Sequence, residues 1–193
     1  MHGVVHKFSA SDYVNFAGNY TKELVIILRG SINVIAQDET GRDAIIASLS
    51  RGSVICERLL DEAKHNAEFS YLVASDSEIL IIPIDNLENF ADTNGVLAKF
   101  LLNVCLSMAD DSMRLLEKIE IVSQKYLRDK IIAYLRLQAL EQKKSKVVVP
   151  FNRSQLAEYL NADRSSMTRE LYLMKEAGLI DFTGNVFEIK FKI

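Results

Sequence analysis

Residues 152–180 read NRSQLAEYLNADRSSMTRELYLMKEAGLI, and the fold of the C-terminal part of the chain follows from this stretch. It divides into two short amphipathic helices joined by a tight turn. Asn152 is a helix-capping residue, Gln155 completes a capping box with it, and Leu156, Ala157 and Leu160 form one buried stripe. The first helix is expected to stop at Asn161, because asparagine tolerates the left-handed backbone that a tight interhelical turn needs. Asp163 is placed to cap a second helix starting near Arg164. In that helix Met167, Leu171 and Met174 recur at i, i+4, i+7 and should face inward, while Ser165, Thr168, Arg169 and Tyr172 fall on the far side, with Arg164 and Ser166 beside them at the helix start.

The far side has the chemistry of a nucleic-acid reader. An arginine can bond bidentately to guanine O6 and N7, and short hydroxyls bond base edges or phosphate, when the start of a helix enters the major groove. The candidate DNA-contacting set is Arg153, Arg164, Ser165, Ser166, Thr168, Arg169 and Tyr172, with Arg153, at the start of the first helix, expected on the phosphate backbone. The competing reading is the solvated face of an ordinary helical hairpin. The residues downstream argue against it. Glu176-Ala177-Gly178 ends the helix, and 179–182, 183–185 and 186–191 read as strand, turn and alternating strand, the pattern of a β-hairpin wing.

The motif with its wing resembles the DNA-binding domain of the CRP/FNR superfamily of bacterial transcription regulators, and the likeness extends over nearly the whole chain. The resemblance implies a sensor domain, a long helix that pairs in parallel with its copy, and a DNA-binding domain, acting on an inverted-repeat operator and contacting RNA polymerase. Ser165 stands where many members of the family have a glutamate that reads the half-site. A hydroxyl cannot accept from cytosine as a carboxylate does, so that position of the operator is expected to differ.

Length and charge agree with two domains. At 193 residues the chain exceeds the usual domain of about 100–150 residues, and its 49% hydrophobic content suffices for packed cores. Residues 1–124 carry 10 Lys/Arg against 18 Asp/Glu, whereas residues 125–193 carry 13 against 8, so the net charge of −3 conceals an acidic half and a basic half. The basic half holds the motif, as phosphate neutralisation requires. No apolar run of about 18 residues is present, and Met1 to Lys7 lacks the pattern of a secretion signal, so a cytoplasmic protein with no membrane partner is expected. Cys56 and Cys105 are expected to be reduced, buried thiols.

The acidic half reads as short strands punctuated by turns: 24–30, 31–36, 44–49, 51–55, 68–71 and 78–83, with Gly30, Gly41 and Gly52 at turn positions. Many short strands at this spacing argue for a barrel or jelly roll. The stretch is similar to the cyclic-nucleotide-binding double-stranded β-helix of the same superfamily, and it departs from that pattern in two places. Nucleotide-binding members carry Gly-Glu and later Arg-Ser or Arg-Thr around the cyclic phosphate; here the corresponding residues are Cys56-Glu57 and Ala67-Glu68. A carboxylate repels phosphate and no guanidinium replaces the lost fork, so cyclic AMP and cyclic GMP are not the expected effectors. Two cysteines exclude a four-cysteine iron–sulfur cluster within one chain, and His2, His6 and His65 define no haem or metal site, so no cofactor and no metal are assigned and the effector is unknown. The short helix that precedes the first strand in the family is almost absent.

Between sensor and motif lies a helical segment with two apolar lines. Leu97, Leu101, Val104, Met108, Asp111, Leu115, Lys118 and Val122 make one; Phe100, Cys105, Ala109, Leu116 and Ile119 make the other. One line can pack on its own domain while the other pairs with a second copy, although Asp111 interrupts its seam. A hinge is expected near 121–124, then a helix over 125–140 with Leu127, Ile131, Tyr134 and Leu135 inward, a solvated basic tract at 143–146 and a strand at 147–151. The expected whole is an α+β chain: a β-barrel (jelly-roll) sensor at 1–93, a dimerisation helix and hinge at 94–122, and a winged helix-turn-helix at 123–193. It reads as a homodimeric regulator without catalytic residues; a cupin-like metal enzyme with an accessory helical domain is the alternative class, and none of the three histidines lies inside an expected strand.

Overall fold

The computed structural model describes residues 3–14, 23–37, 43–55, 69–83 and 95–191. The chain divides into two compact units, Met1–Leu115 and Leu116–Ile193. In the first, strands β1 (Val4–Phe8), β2 (Tyr13–Val14), β3 (Glu23–Gln37), β4 (Asp43–Ser50), β5 (Val54–Ile55) and β6 (Ser70–Pro83) form one antiparallel sheet in the order β1-β6-β3-β4, with β2 on β6 and β5 on β3. This is the β-rich domain that the strand pattern predicts, although among the described residues the sheet does not close into a barrel. β1 and β2 lie outside the strands that the sequence pattern predicts.

Two pairs of expected strands are in fact single long strands. The stretches 24–30 and 31–36 fuse into β3, and 68–71 and 78–83 join within β6. Gly30 is therefore not a turn. It sits inside β3 with φ +86°, where the β3–β6 ladder shifts register between Ile27 and Ile32. The irregularity changes which residues face the core: Val25 and Ile27 before it, Ile32 and Val34 after it, all in one cluster with Ile55, Tyr71, Val73 and Ile79. A simple alternation would have turned one half of β3 away from that core. Gly52, by contrast, does lie in a turn, and Gly41 falls outside the described residues, as do Cys56, Glu57, His65, Ala67 and Glu68.

The opposite face of the sheet is covered by helix α1 (Val96–Val122). Leu24, Val54 and Ile82 cluster with Val104, and Ile26, Leu80, Leu97 and Phe100 pack around them. Asp111, which interrupts an apolar line in the sequence, accepts from Ser53 Oγ at 2.8 Å and from Val54 N at 3.3 Å, while Ser107 Oγ donates to Gly52 O at 2.5 Å. These polar residues thus hold α1 to the turn between β4 and β5. The two apolar lines of the sequence are redistributed accordingly. Phe100 joins the sheet side, and the exposed side carries Leu102 at 59%, Leu106 at 61% and Met113 at 57%, which neither line contained. Cys105 is exposed on this helix, not buried as expected.

The second unit contains α2 (Leu127–Gln142), β7 (Lys146–Val148), α3 (Arg153–Tyr159), α4 (Arg164–Glu176), β8 (Ile180–Thr183) and β9 (Val186–Ile189). Ile131, Tyr134 and Leu135 of α2 are buried as expected, with Ala139. The strand before the motif is shorter than expected and pairs with β9, so that the wing is the outer part of a three-stranded sheet β7-β9-β8.

Gly30 and Gly52, two of the positive-φ glycines in the first unit, should respond differently to a methyl group. A Cβ on Gly30 would fall on the backbone at Asp76 and Ser77, whereas nothing lies within 4 Å of one on Gly52. Gly52→Ala should cost about 1–2 kcal/mol, the left-handed strain alone. Gly30→Ala should cost at least about 3 kcal/mol, because overpacking against backbone is added to strain. Denaturant titration of the two variants, followed by far-UV circular dichroism, compares them.

Candidate nucleic-acid interface

Helix α3 begins as its sequence dictates. Asn152 Oδ1 accepts from Gln155 N at 3.0 Å and Asn152 N donates to Gln155 Oε1 at 2.9 Å, which satisfies two amide groups that a helix start otherwise leaves open. Leu156, Ala157 and Leu160 are buried. The chain leaves α3 through Asn161 at φ +49°, and Ala162 N donates back to Ala157 O at 2.9 Å. Asp163 occupies the cap position of α4 with extended backbone, but its side chain makes no capping hydrogen bond there.

In α4 the inward face is Met167, Leu171 and Met174, each at most 1% exposed. Arg164, Ser165, Ser166, Thr168, Arg169 and Tyr172 are all exposed. Thr168 Oγ1 donates to Arg164 O at 2.8 Å, which leaves its oxygen free only to accept. The structure thus brings six of the seven candidate residues together on one helix. The seventh goes elsewhere: Arg153 Nη2 donates to Gly184 O at 2.7 Å in the wing turn, and its guanidinium lies 4.6 Å from the Phe182 ring centroid and 4.7 Å from that of Phe187. Burial pushes this guanidinium below its ordinary value, and Tyr172 partly opposes the shift.

Several ties that fix α4 carried no signal in the sequence. Arg128 Nε of α2 meets Glu170 Oε1 at 2.6 Å, and Lys130 Nζ donates to Leu160 O at 3.3 Å, so α2 holds both α4 and the turn before it. Lys175 Nζ lies 2.6 Å from Asp181 Oδ1, whose carboxyl is held below its ordinary value by that bond and by Phe182 N. Each pair joins residues from different elements, and no spacing rule within one helix or strand links them.

The residues before and within this domain match known families. Residues 129–190 match the Crp-like helix-turn-helix domain, and residues 5–94 match the cyclic nucleotide-binding domain. The chain belongs to the CRP/FNR superfamily of transcription regulators. The c-di-GMP-responsive global regulator CLP of Xanthomonas campestris superposes with TM-score 0.78 at 16% identity, over 99% of this chain and 95% of that one. A CooA mutant from Carboxydothermus hydrogenoformans gives TM-score 0.77 at 17% identity over 98% and 84%, and a CRP-family transcriptional regulator from Thermus thermophilus gives 0.70 at 16% over 95% and 91%. At these identities the likeness establishes the fold. No curated sequence matches the chain. This chain joins a β-rich cyclic-nucleotide-binding-type domain to a Crp-like helix-turn-helix. No helix among its described residues is long and apolar enough to cross a membrane.

The seat of α3 in this regulator is aromatic. The Tyr159 ring centroid lies 4.9 Å from that of Phe151 and 5.3 Å from that of Tyr134, both pairs tilted, and Lys118 Nζ lies 4.4 Å from the Tyr159 ring centroid. Burial lowers Lys118 to about 8 and raises the Tyr134 hydroxyl above its ordinary value. Between about pH 8 and the ordinary lysine value of 10.5, the unfolded chain holds a proton that folded Lys118 has lost, so stability rises with pH there. Tyr134 opposes this above pH 10.0, where its unfolded form ionises first. The second unit should therefore gain stability from pH 8 to 10, and Lys118→Met should flatten the gain and be the more stable form at pH 7. Thermal unfolding across this range measures both.

Proposed function

We propose that the chain is a dimeric, sequence-specific transcription regulator that reads DNA with α4 and whose sensor domain does not use cyclic AMP or cyclic GMP. The observation that carries the DNA-reading part is the division of α4. One face is locked by Met167, Leu171 and Met174, and the other presents Arg164, Ser165, Ser166, Thr168, Arg169 and Tyr172 to solvent. Arg164 and Ser165 lead into the major groove, Arg169 is one turn behind, the Ser165 and Ser166 hydroxyls donate to base edge or phosphate, and Thr168, whose hydrogen goes to Arg164 O, can only accept from a base edge. The family match stands against the cupin-like enzyme reading.

Dimerisation is supported by α1. Leu102, Leu106, Ala109 and Met113 recur at intervals of four, three and four residues on the side away from the sheet, the spacing of a two-stranded seam. Leu116 continues the series and is 57% exposed. Apolar side chains in such a row are costly in water, and a parallel second copy would cover them. The domains would then divide as sensor at 1–93, dimerisation helix and hinge at 94–122, and reader at 123–193, working in the cytoplasm with RNA polymerase as partner.

The effector proposal rests on residue chemistry. Where a cyclic phosphate would need a guanidinium fork, the chain has Ala67-Glu68, and Cys56 replaces the glycine before Glu57. Titration calorimetry with cyclic AMP and with cyclic GMP should show no saturable heat at micromolar nucleotide; tight binding of either would overturn this part. Arg169→Ala should cost about 1–3 kcal/mol of binding to a selected operator and relax preference at one base pair. Titration against a set of operator variants reads both effects, and unchanged affinity would remove Arg169 from the reading set.

A further inference from the structure

We infer that Arg153 is a positioning residue: it clamps the wing to the helix-turn-helix and so sets DNA affinity without holding a phosphate itself. This replaces the backbone contact expected from its place at the start of α3, and it rests on the reading of the chain as a DNA-binding regulator. Arg153 is half-buried, and its guanidinium lies against the wing. One Nη2 hydrogen goes to Gly184 O at 2.7 Å, at the tip of the wing, where Gly184 has φ +59°. The guanidinium carbon lies 4.6 Å from the Phe182 ring centroid and 4.7 Å from that of Phe187, two rings whose centroids are 5.6 Å apart.

Phe182 is the shared platform. Tyr172 of α4 meets it edge-on at 5.6 Å, and Lys175 Nζ lies 5.3 Å from its centroid while pairing with Asp181. Strand β8 is thus gripped by Arg153 from α3 and by Tyr172 and Lys175 from α4, and the position of the wing is fixed relative to the reading face. Only an arginine can do both parts of the first grip. Its planar, delocalised cation stacks on a ring while its edge still donates, whereas a lysine ammonium is a compact, strongly hydrated point charge. The wing does not depend on this clamp to fold. Val149 N donates to Asn185 O at 2.9 Å, Asn185 Nδ2 donates to Val149 O at 3.0 Å, and β9 remains paired with β7 and β8.

The wing turn, Thr183-Gly184-Asn185, carries no charge. A loosened wing therefore weakens DNA binding without changing the number of cations released, whereas losing a phosphate contact lowers the salt slope by about 0.9. The experiment compares wild type, Arg153→Ala and Arg153→Lys in two ways: amide hydrogen exchange over residues 182–186 in the free protein, and titration of a selected operator duplex at several salt concentrations. Both variants should exchange faster at the wing and bind about tenfold more weakly, with the slope of log affinity against log salt unchanged. Unchanged exchange, recovery of affinity by lysine, or a slope reduced by about one contact would overturn the clamp. Should wild type select no duplex, the DNA-binding reading fails, and the exchange comparison alone upholds or overturns the clamp.

Discussion

The orientation of everything that can face DNA depends on one apolar packing: α3 and α4 are in contact, and the apolar stripes Leu156, Ala157 and Leu160 and Met167, Leu171 and Met174 are all buried. These six side chains are each at most 2% exposed, so truncating any of them removes buried apolar contact from beneath α4. The remaining contacts refine that arrangement. The capping box starts α3, Asn161 turns the chain, Arg128 and Lys130 bind α2 to the motif, and the Phe182 platform sets the wing. A polar substitution in either stripe would therefore disturb reading of DNA from beneath, with no contact to DNA of its own.

The first unit shows the same economy of means in β-structure. A single irregularity at Gly30 lets β3 feed one core from both of its halves, and the opposite face is closed by α1 through Leu97, Phe100 and Val104. Asp111 and Ser107 reveal why α1 is polar at points where an apolar line was expected: they serve the turn at Gly52 to Val54. The side of α1 that remains is apolar and exposed, and a helix of two apolar faces separated by polar ties is the form that a dimerisation helix of this superfamily would need.

Much of the reader was legible in the sequence because its signals are local. The capping box, the left-handed Asn161, the i, i+4, i+7 stripe of α4 and the glycine-centred wing turn each occupy a few consecutive residues, and each appears where it is expected. Gly30 reads as a turn because a glycine between two β-branched runs has the same local appearance in a turn and in a bulge; the difference lies in β6, more than 40 residues away. Phe100 falls on the wrong line, and Leu102, Leu106 and Met113 on neither, because apolar residues surround much of α1 and only the docked sheet distinguishes the two faces. The position of Arg153 alone points to phosphate, whereas its partners come from strands some 30 residues downstream.

As proposed, two copies of this chain would present two reading helices about one two-fold axis. Selection of binding sites from a random duplex pool, followed by footprinting of the winners, tests it most directly. A two-fold dimer should select an inverted repeat whose half-site centres are one helical turn apart, about 34–36 Å on the same face of the duplex. Enrichment of a single half-site without symmetry, bound by one copy of the chain, would contradict it.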